Sequence, residues 1–119
     1  MLEDAAILIV EDEPFIALAL KASVEDAGGK VVGPVGSVHE AMRLLETDTV
    51  AAAILDVQLS DGNVTPVAEA LVARGVPMII QSGVALPADL RRQCPDVIHY
   101  RKPASARLLL EKLAELIAR

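Results

Sequence analysis

Residues 7–13 read Ile7-Leu8-Ile9-Val10-Glu11-Asp12-Glu13, four consecutive aliphatic residues that end abruptly in three acids. So short and uniform an apolar run, closed by polar residues, reads as a strand buried on both faces. The device recurs. Ala53-Ile54-Leu55 runs into Asp56, Met78-Ile79-Ile80 into Gln81-Ser82-Gly83, and Val97-Ile98 is soon followed by Lys102-Pro103. In an open α/β sheet, groups just beyond the carboxyl ends of the strands converge on one crevice. Acids, a hydroxyl and a lysine far apart in sequence are therefore expected to be neighbours in space.

Between these runs the pattern turns helical. Strands are expected at about 5–10, 30–34, 51–55, 77–81 and 97–100. A first helix runs from Pro14, suited to a first turn, to Asp26, and Gly28-Gly29 supplies its stop. The second opens with a capping box, Ser37-Val38-His39-Glu40, and continues to about Glu46. The third spans 64–74, the fourth is a short piece over 87–93, and the fifth runs from Ser105 to the end at Arg119. Strands alternating with helices at this spacing imply βαβ units, a parallel sheet and right-handed crossovers. All 119 residues fit one domain, 1–119, with no linker or repeat.

Composition narrows the function. The chain is 53% hydrophobic but 2% aromatic, so the core is aliphatic and a base-stacking surface is not expected. A net charge of −6 disfavours direct binding to nucleic acid or to an anionic membrane. The lone Cys94 excludes an intrachain disulfide and suits a reducing cytoplasm. Acids at positions 3 and 4 argue against a signal peptide, and no stretch approaches a membrane span in length. A cytoplasmic location is the expectation.

The site is suited to a metal ion and a phosphoryl group. If the first and third strands are neighbours, Glu11, Asp12 and Asp56 crowd one pocket, where like charges repel unless a cation neutralises them. Mg²⁺ is the natural occupant, because it takes oxygen ligands and keeps a phosphate in its shell. Lys102 adds a positive charge for phosphoryl oxygens, Ser82 a hydroxyl donor, and Gly83 a place where backbone approaches a ligand closely. Each residue alone has an ordinary explanation. Glu13 reads best as a charge in a first helical turn, Ser82-Gly83 as a turn, and Lys102-Pro103 as a helix opening. Their order on successive strand ends is much harder to explain by accident.

With Leu8-Ile9-Val10-Glu11-Asp12-Glu13, Ile54-Leu55-Asp56-Val57-Gln58-Leu59, Ile80-Gln81-Ser82-Gly83 and Arg101-Lys102-Pro103, the chain resembles the receiver domains of two-component response regulators over its whole length. The opening residues and Val32-Gly33-Pro34-Val35-Gly36-Ser37 also resemble a subgroup of receivers working with HWE-type histidine kinases. The resemblance implies a flavodoxin-like (βα)5 doubly wound fold with strand order 2-1-3-4-5. Asp56 would be the phosphoacceptor, taking a phosphoryl group from a kinase phosphohistidine or a phosphotransfer protein. Asp12 would bind Mg²⁺ directly and Glu11 largely through water, with Asp56 and the Gln58 backbone carbonyl as further ligands. Ser82, Lys102 and the backbone at Val57 and Gly83 would contact the phosphoryl group, and the Lys102-Pro103 bond would be cis.

Some positions depart from the family pattern. His99 stands where the family has Tyr or Phe as the partner of the Ser82 switch. It is an ionisable switch, an exposed histidine, or the mark of an altered coupling, the last preferred. Ala104 replaces a usual Phe, and Asp61-Gly62-Asn63 replaces a Pro-Gly turn. In the last helix Leu109, Leu113 and Leu116 fall at core spacing, beside a second stripe of Leu110, Ala114 and Ile117. That stripe either widens the buried face, the preferred reading, or belongs to a dimer or partner surface over the fourth helix, fifth strand and fifth helix. Phosphorylation would switch that surface toward a downstream protein target, with the chain a monomer or a weak, phosphorylation-dependent homodimer. Arg91, Arg92, Arg101 and Arg107 fall in the same region and read first as a solvated face, with steering of an acidic partner the alternative. A pseudo-receiver acting as an interaction module without phosphorylation is the alternative. A phosphohydrolase would want an acid where Gln58 stands, and a flavin phosphate would be repelled by Glu11-Asp12.

Overall fold

The computed structural model describes residues 1–118. Its elements follow in chain order: β1 (Ala6–Val10), α1 (Pro14–Asp26), β2 (Lys30–Val35), α2 (Val38–Thr47), β3 (Ala52–Leu55), β4 (Gln58–Leu59), β5 (Gly62–Asn63), α3 (Thr65–Ala73), β6 (Met78–Ser82), α4 (Ala88–Gln93), β7 (Ile98–Arg101) and α5 (Ala106–Ala118). The main sheet is parallel, in the order β2-β1-β3-β6-β7. Numbered by its own five strands it runs 2-1-3-4-5, as expected. The antiparallel pair β4-β5 has no counterpart in the sequence reading, which saw only a turn at 61–63. The expected helix end at Arg119 lies outside the described residues.

Period-two geometry splits the buried strands between two cores. Leu8, Val10, Ala53, Leu55 and Ile80 face α2, α3 and α4, meeting Ala41, Leu45, Val67, Leu71 and Leu90. Ile7, Ile9, Ile54 and Ile79 face the other way and meet Leu20 and Val24 of α1 and Leu109, Leu110 and Leu113 of α5. Helices on both faces explain why each central strand reads as an unbroken aliphatic run. Leu110 is buried in the second core and Ala114 and Ile117 pack against it, so the second stripe of α5 widens its buried face.

Local chemistry ends the helices where the sequence says. Pro14 opens α1, and Gly28 follows it with φ +86, a conformation glycine adopts without strain. A side chain at Gly29 would meet Leu2 Cδ1 and Val24 Cγ1, each at 2.8 Å. Ser37 caps α2, its Oγ accepting from Glu40 N at 3.1 Å. The donors at Val38 and His39 go elsewhere, to Asp61, which the sequence marks only as a turn residue.

Candidate active site

The register of the sheet carries the expected residues to one edge. Val10 pairs with Leu55, and Asp56 N donates to Val10 O at 2.8 Å, so Glu11 and Asp56 leave adjacent strands at the same level. Ser82 pairs with Arg101, and Lys102 N donates to Ser82 O at 2.9 Å. The crevice therefore lies beyond the carboxyl ends of β1, β3, β6 and β7.

Glu11, Asp12 and Asp56 each place a carboxylate oxygen within 4.8 Å of the others. Glu11 and Asp56 are 3% and 7% exposed, whereas Asp12 stands at the open rim. Lys102 Nζ lies between the two buried acids, 2.9 Å from Glu11 Oε1 and 3.1 Å from Asp56 Oδ2. Its bond to Pro103 is cis, as the resemblance implied; a second cis bond, Gly33-Pro34, was not anticipated. The other oxygens are held by backbone: Val57 N donates to Asp56 Oδ1 at 2.7 Å and Glu13 N to Glu11 Oε2 at 3.1 Å. Gln81 Nε2, from the end of β6, donates to Glu11 Oε1 at 3.2 Å.

Burial raises the Glu11 pKa to about 6, against the lowering by Lys102 and the Glu13 amide, and the Asp56 charge raises it further. Burial alone would lower the Lys102 pKa, but its bonds to Glu11 and Asp56 outweigh that and hold it above its usual value. One ammonium against three carboxylates leaves the pocket short of positive charge. Three hard oxygen donors in that balance fit a divalent cation such as Mg²⁺.

Ser82 is almost wholly buried, and its Oγ lies 2.6 Å from Val84 O and 2.9 Å from His99 Nε2. His99 is half-buried and bonded, so the exposed-histidine reading is overturned. Burial, then the Arg101 charge, lowers its pKa. Gly83 is exposed, with open space where a side chain would start. Gln58 is exposed at the start of β4, paired with Asn63. Val57 is buried, and its amide is turned onto Asp56.

Three further residues, Asp61, Ser60 and Gly36, tie the loop after Asp56 to the segment between β2 and α2. Asp61 accepts from Val38 N at 2.7 Å and His39 N at 3.0 Å, fastening the loop after Asp56 to the start of α2. These bonds lower the Asp61 pKa. Ser60 donates twice to Gly36 O, from N at 3.3 Å and Oγ at 3.1 Å. Gly36 itself is pressed on the acids: a side chain there would come within 3.2 Å of Asp12 Cα.

A five-stranded parallel sheet of this order, with acids and a lysine at its carboxyl edge, defines a response-regulator receiver, and the chain belongs to that family. It is similar to the CheY-like receiver domain protein of Methanospirillum hungatei JF-1, with 26% identity and a TM-score of 0.84 over 96% of this chain and 94% of that one. It is similar to SdrG of Sphingomonas melonis Fr1, with 34% identity and a TM-score of 0.80 over the full length of both. It also resembles the receiver domain of the sensor histidine kinase PA1611 of Pseudomonas aeruginosa PAO1, whose structure holds a magnesium ion in the active-site cleft; identity is 25% and the TM-score 0.80, over 97% of this chain and 98% of that one. In sequence it matches the phyllosphere-induced regulator PhyR of Methylorubrum extorquens, at 43% identity over 58 residues. That match spans 48% of this chain and only 22% of PhyR. No family model matches the chain.

Proposed function

We propose that residues 1–119 act as one phosphoacceptor receiver unit in which Asp56 takes a phosphoryl group from a histidine kinase phosphohistidine, of the HWE type, in the cytoplasm. The observation that carries this reading is the convergence of Glu11, Asp12, Asp56 and Lys102 at the carboxyl edge of a receiver sheet. Glu11, Asp12, Asp56 and the Gln58 carbonyl would hold Mg²⁺, which supplies positive charge shared by the carboxylates and the phosphoryl oxygens. An Asp56 oxygen attacks the phosphorus as the donor's N–P bond breaks, leaving the electron pair on the departing imidazole. Val57 N–H and Lys102 already hold the Asp56 carboxylate in place, so the acceptor enters the reaction oriented. Lys102 then pairs with the phosphoryl group, and Ser82 turns to donate to it. That turn takes Ser82 off Val84 and biases the α4–β7–α5 face toward a downstream protein.

Intact-protein mass spectrometry after incubation with acetyl phosphate tests this. The wild type is expected to gain one phosphoryl group with Mg²⁺ and none without it, and Asp56→Asn to gain none. A gain undiminished in Asp56→Asn would overturn the assignment.

A further inference from the structure

The hydroxyl of Ser82 has one proton and two polar neighbours. The Val84 carbonyl, 2.6 Å away, can only accept, so the Ser82 proton points there. His99 Nε2, 2.9 Å from the same oxygen, must then be the donor of the second bond. A neutral ring in which Nδ1 carries the proton would leave two lone pairs facing each other.

We propose that His99 is a positioning residue for the phosphoryl site: its Nε2–H donates to Ser82 Oγ and directs the single Ser82 proton onto Val84 O in the resting protein and onto a phosphoryl oxygen once Asp56 is loaded. The loaded half rests on the reading of Asp56 as phosphoacceptor. The placement suits the task. His99 lies on β7 beside Ile80 of β6, two residues short of Ser82, and is half-buried, so the ring is held by the sheet rather than by a loop. An oxygen that accepts one hydrogen bond donates a stronger one, so the ring bond polarises Ser82 toward whatever receives its proton. A phenyl ring at this position would fill space but supply no donor. Loading Asp56 would exchange the Val84 bond for a phosphoryl bond while the ring bond persists, releasing the loop between β6 and α4 without freeing Ser82.

Two measurements decide it. Long-range ¹H–¹⁵N correlation of the ring nitrogens at pH 7.5, in the unphosphorylated protein, is expected to show His99 protonated at Nε2 and bare at Nδ1. A ring protonated at Nδ1 alone would overturn the resting half, whatever the fate of Asp56. The rate of acetyl-phosphate labelling with Mg²⁺ is then compared for wild type, His99→Phe, His99→Gln, Ser82→Ala and the Ser82→Ala/His99→Phe double variant. His99→Phe is expected to slow labelling about five- to tenfold, the yield of one neutral hydrogen bond, and His99→Gln, which keeps an N–H donor, to recover most of it. Because His99 acts through Ser82, the double variant is expected to be no slower than Ser82→Ala. Additive losses, or a Phe variant as fast as wild type, would overturn the loaded half. A wild type that takes no phosphoryl group would overturn the Asp56 reading and the loaded half with it, while the ring tautomer still decides the resting half.

Discussion

Glu11 should make the metal-free protein less stable, and replacing it with Gln should show by how much. The Glu11 pKa is raised from 4.5 to about 6, chiefly by burial. A raised carboxyl pKa means the folded state binds the proton more tightly than the unfolded chain does. Stability is therefore undiminished below 4.5 and falls as pH rises toward about 6, after which the cost is constant. Each tenfold step in proton affinity is about 1.4 kcal/mol, so the displacement amounts to about 2 kcal/mol above pH 6. Glu11→Gln keeps the shape and an oxygen for Lys102 and Gln81 but never ionises. Urea unfolding at pH 4.5 and 7.5, without divalent cations, compares the two proteins. The difference between them, rather than either curve alone, isolates Glu11, because shared terms such as the neutral preference of His99 cancel. The variant is expected to gain about 2 kcal/mol on the wild type between the two pH values. A difference that stays flat, or a variant that loses ground at pH 7.5, would refute the claim that the pocket holds this acid against its own preference. Mg²⁺ should close the gap, since a cation bound to the folded wild type offsets the cost of holding the buried Glu11 charged.

Lys102→Met removes the cation between Glu11 and Asp56; the unfolding free energy at pH 7.5 should fall by roughly 2 kcal/mol, less than for a fully buried pair because the lysine is partly exposed. Asp61→Ala frees the donors of Val38 and His39, so its melting temperature at neutral pH should lie below that of the wild type. The Asp61 pKa is depressed, so this contribution is fully present above 3.8 and the gap between the two melting curves should narrow as pH falls below it. Phe15, 82% exposed, and Leu18, 61% exposed, lie on α1, which starts directly after the acids, and under the reading of Asp56 as phosphoacceptor they would meet a protein donor. Phe15→Ala should slow phosphotransfer from a purified histidine kinase about tenfold, on the scale of an interface hot spot, and leave labelling by acetyl phosphate unchanged.

The strand ends were legible because burial on both faces removes every polar residue from a central strand, so the first polar residue marks where the strand leaves the core. That pointed Glu11, Asp56 and Ser82 to one edge, and the registers of β1 against β3 and of β3 against β6 place them there. The bonds among those residues were not legible, because they depend on tertiary closure. Gln81 is written into the sequence as a polar residue closing a buried strand, yet its partner Glu11 lies 70 positions away. Asp61 looked like a turn former because turns favour aspartate; only the folded chain brings it under two free amides at the start of α2, some 22 residues back. A capping box accounts for Ser37 and Glu40 but leaves Val38 and His39 N–H unassigned, and that gap in the accounting was the available signal. His99 gave the reverse case. Its position marked it as a departure, but only the 2.9 Å approach to Ser82 turns that departure into a statement about which nitrogen holds a proton. Pattern locates such a residue; the direction of its hydrogen bond follows only from counting donors at a site whose atoms have been placed.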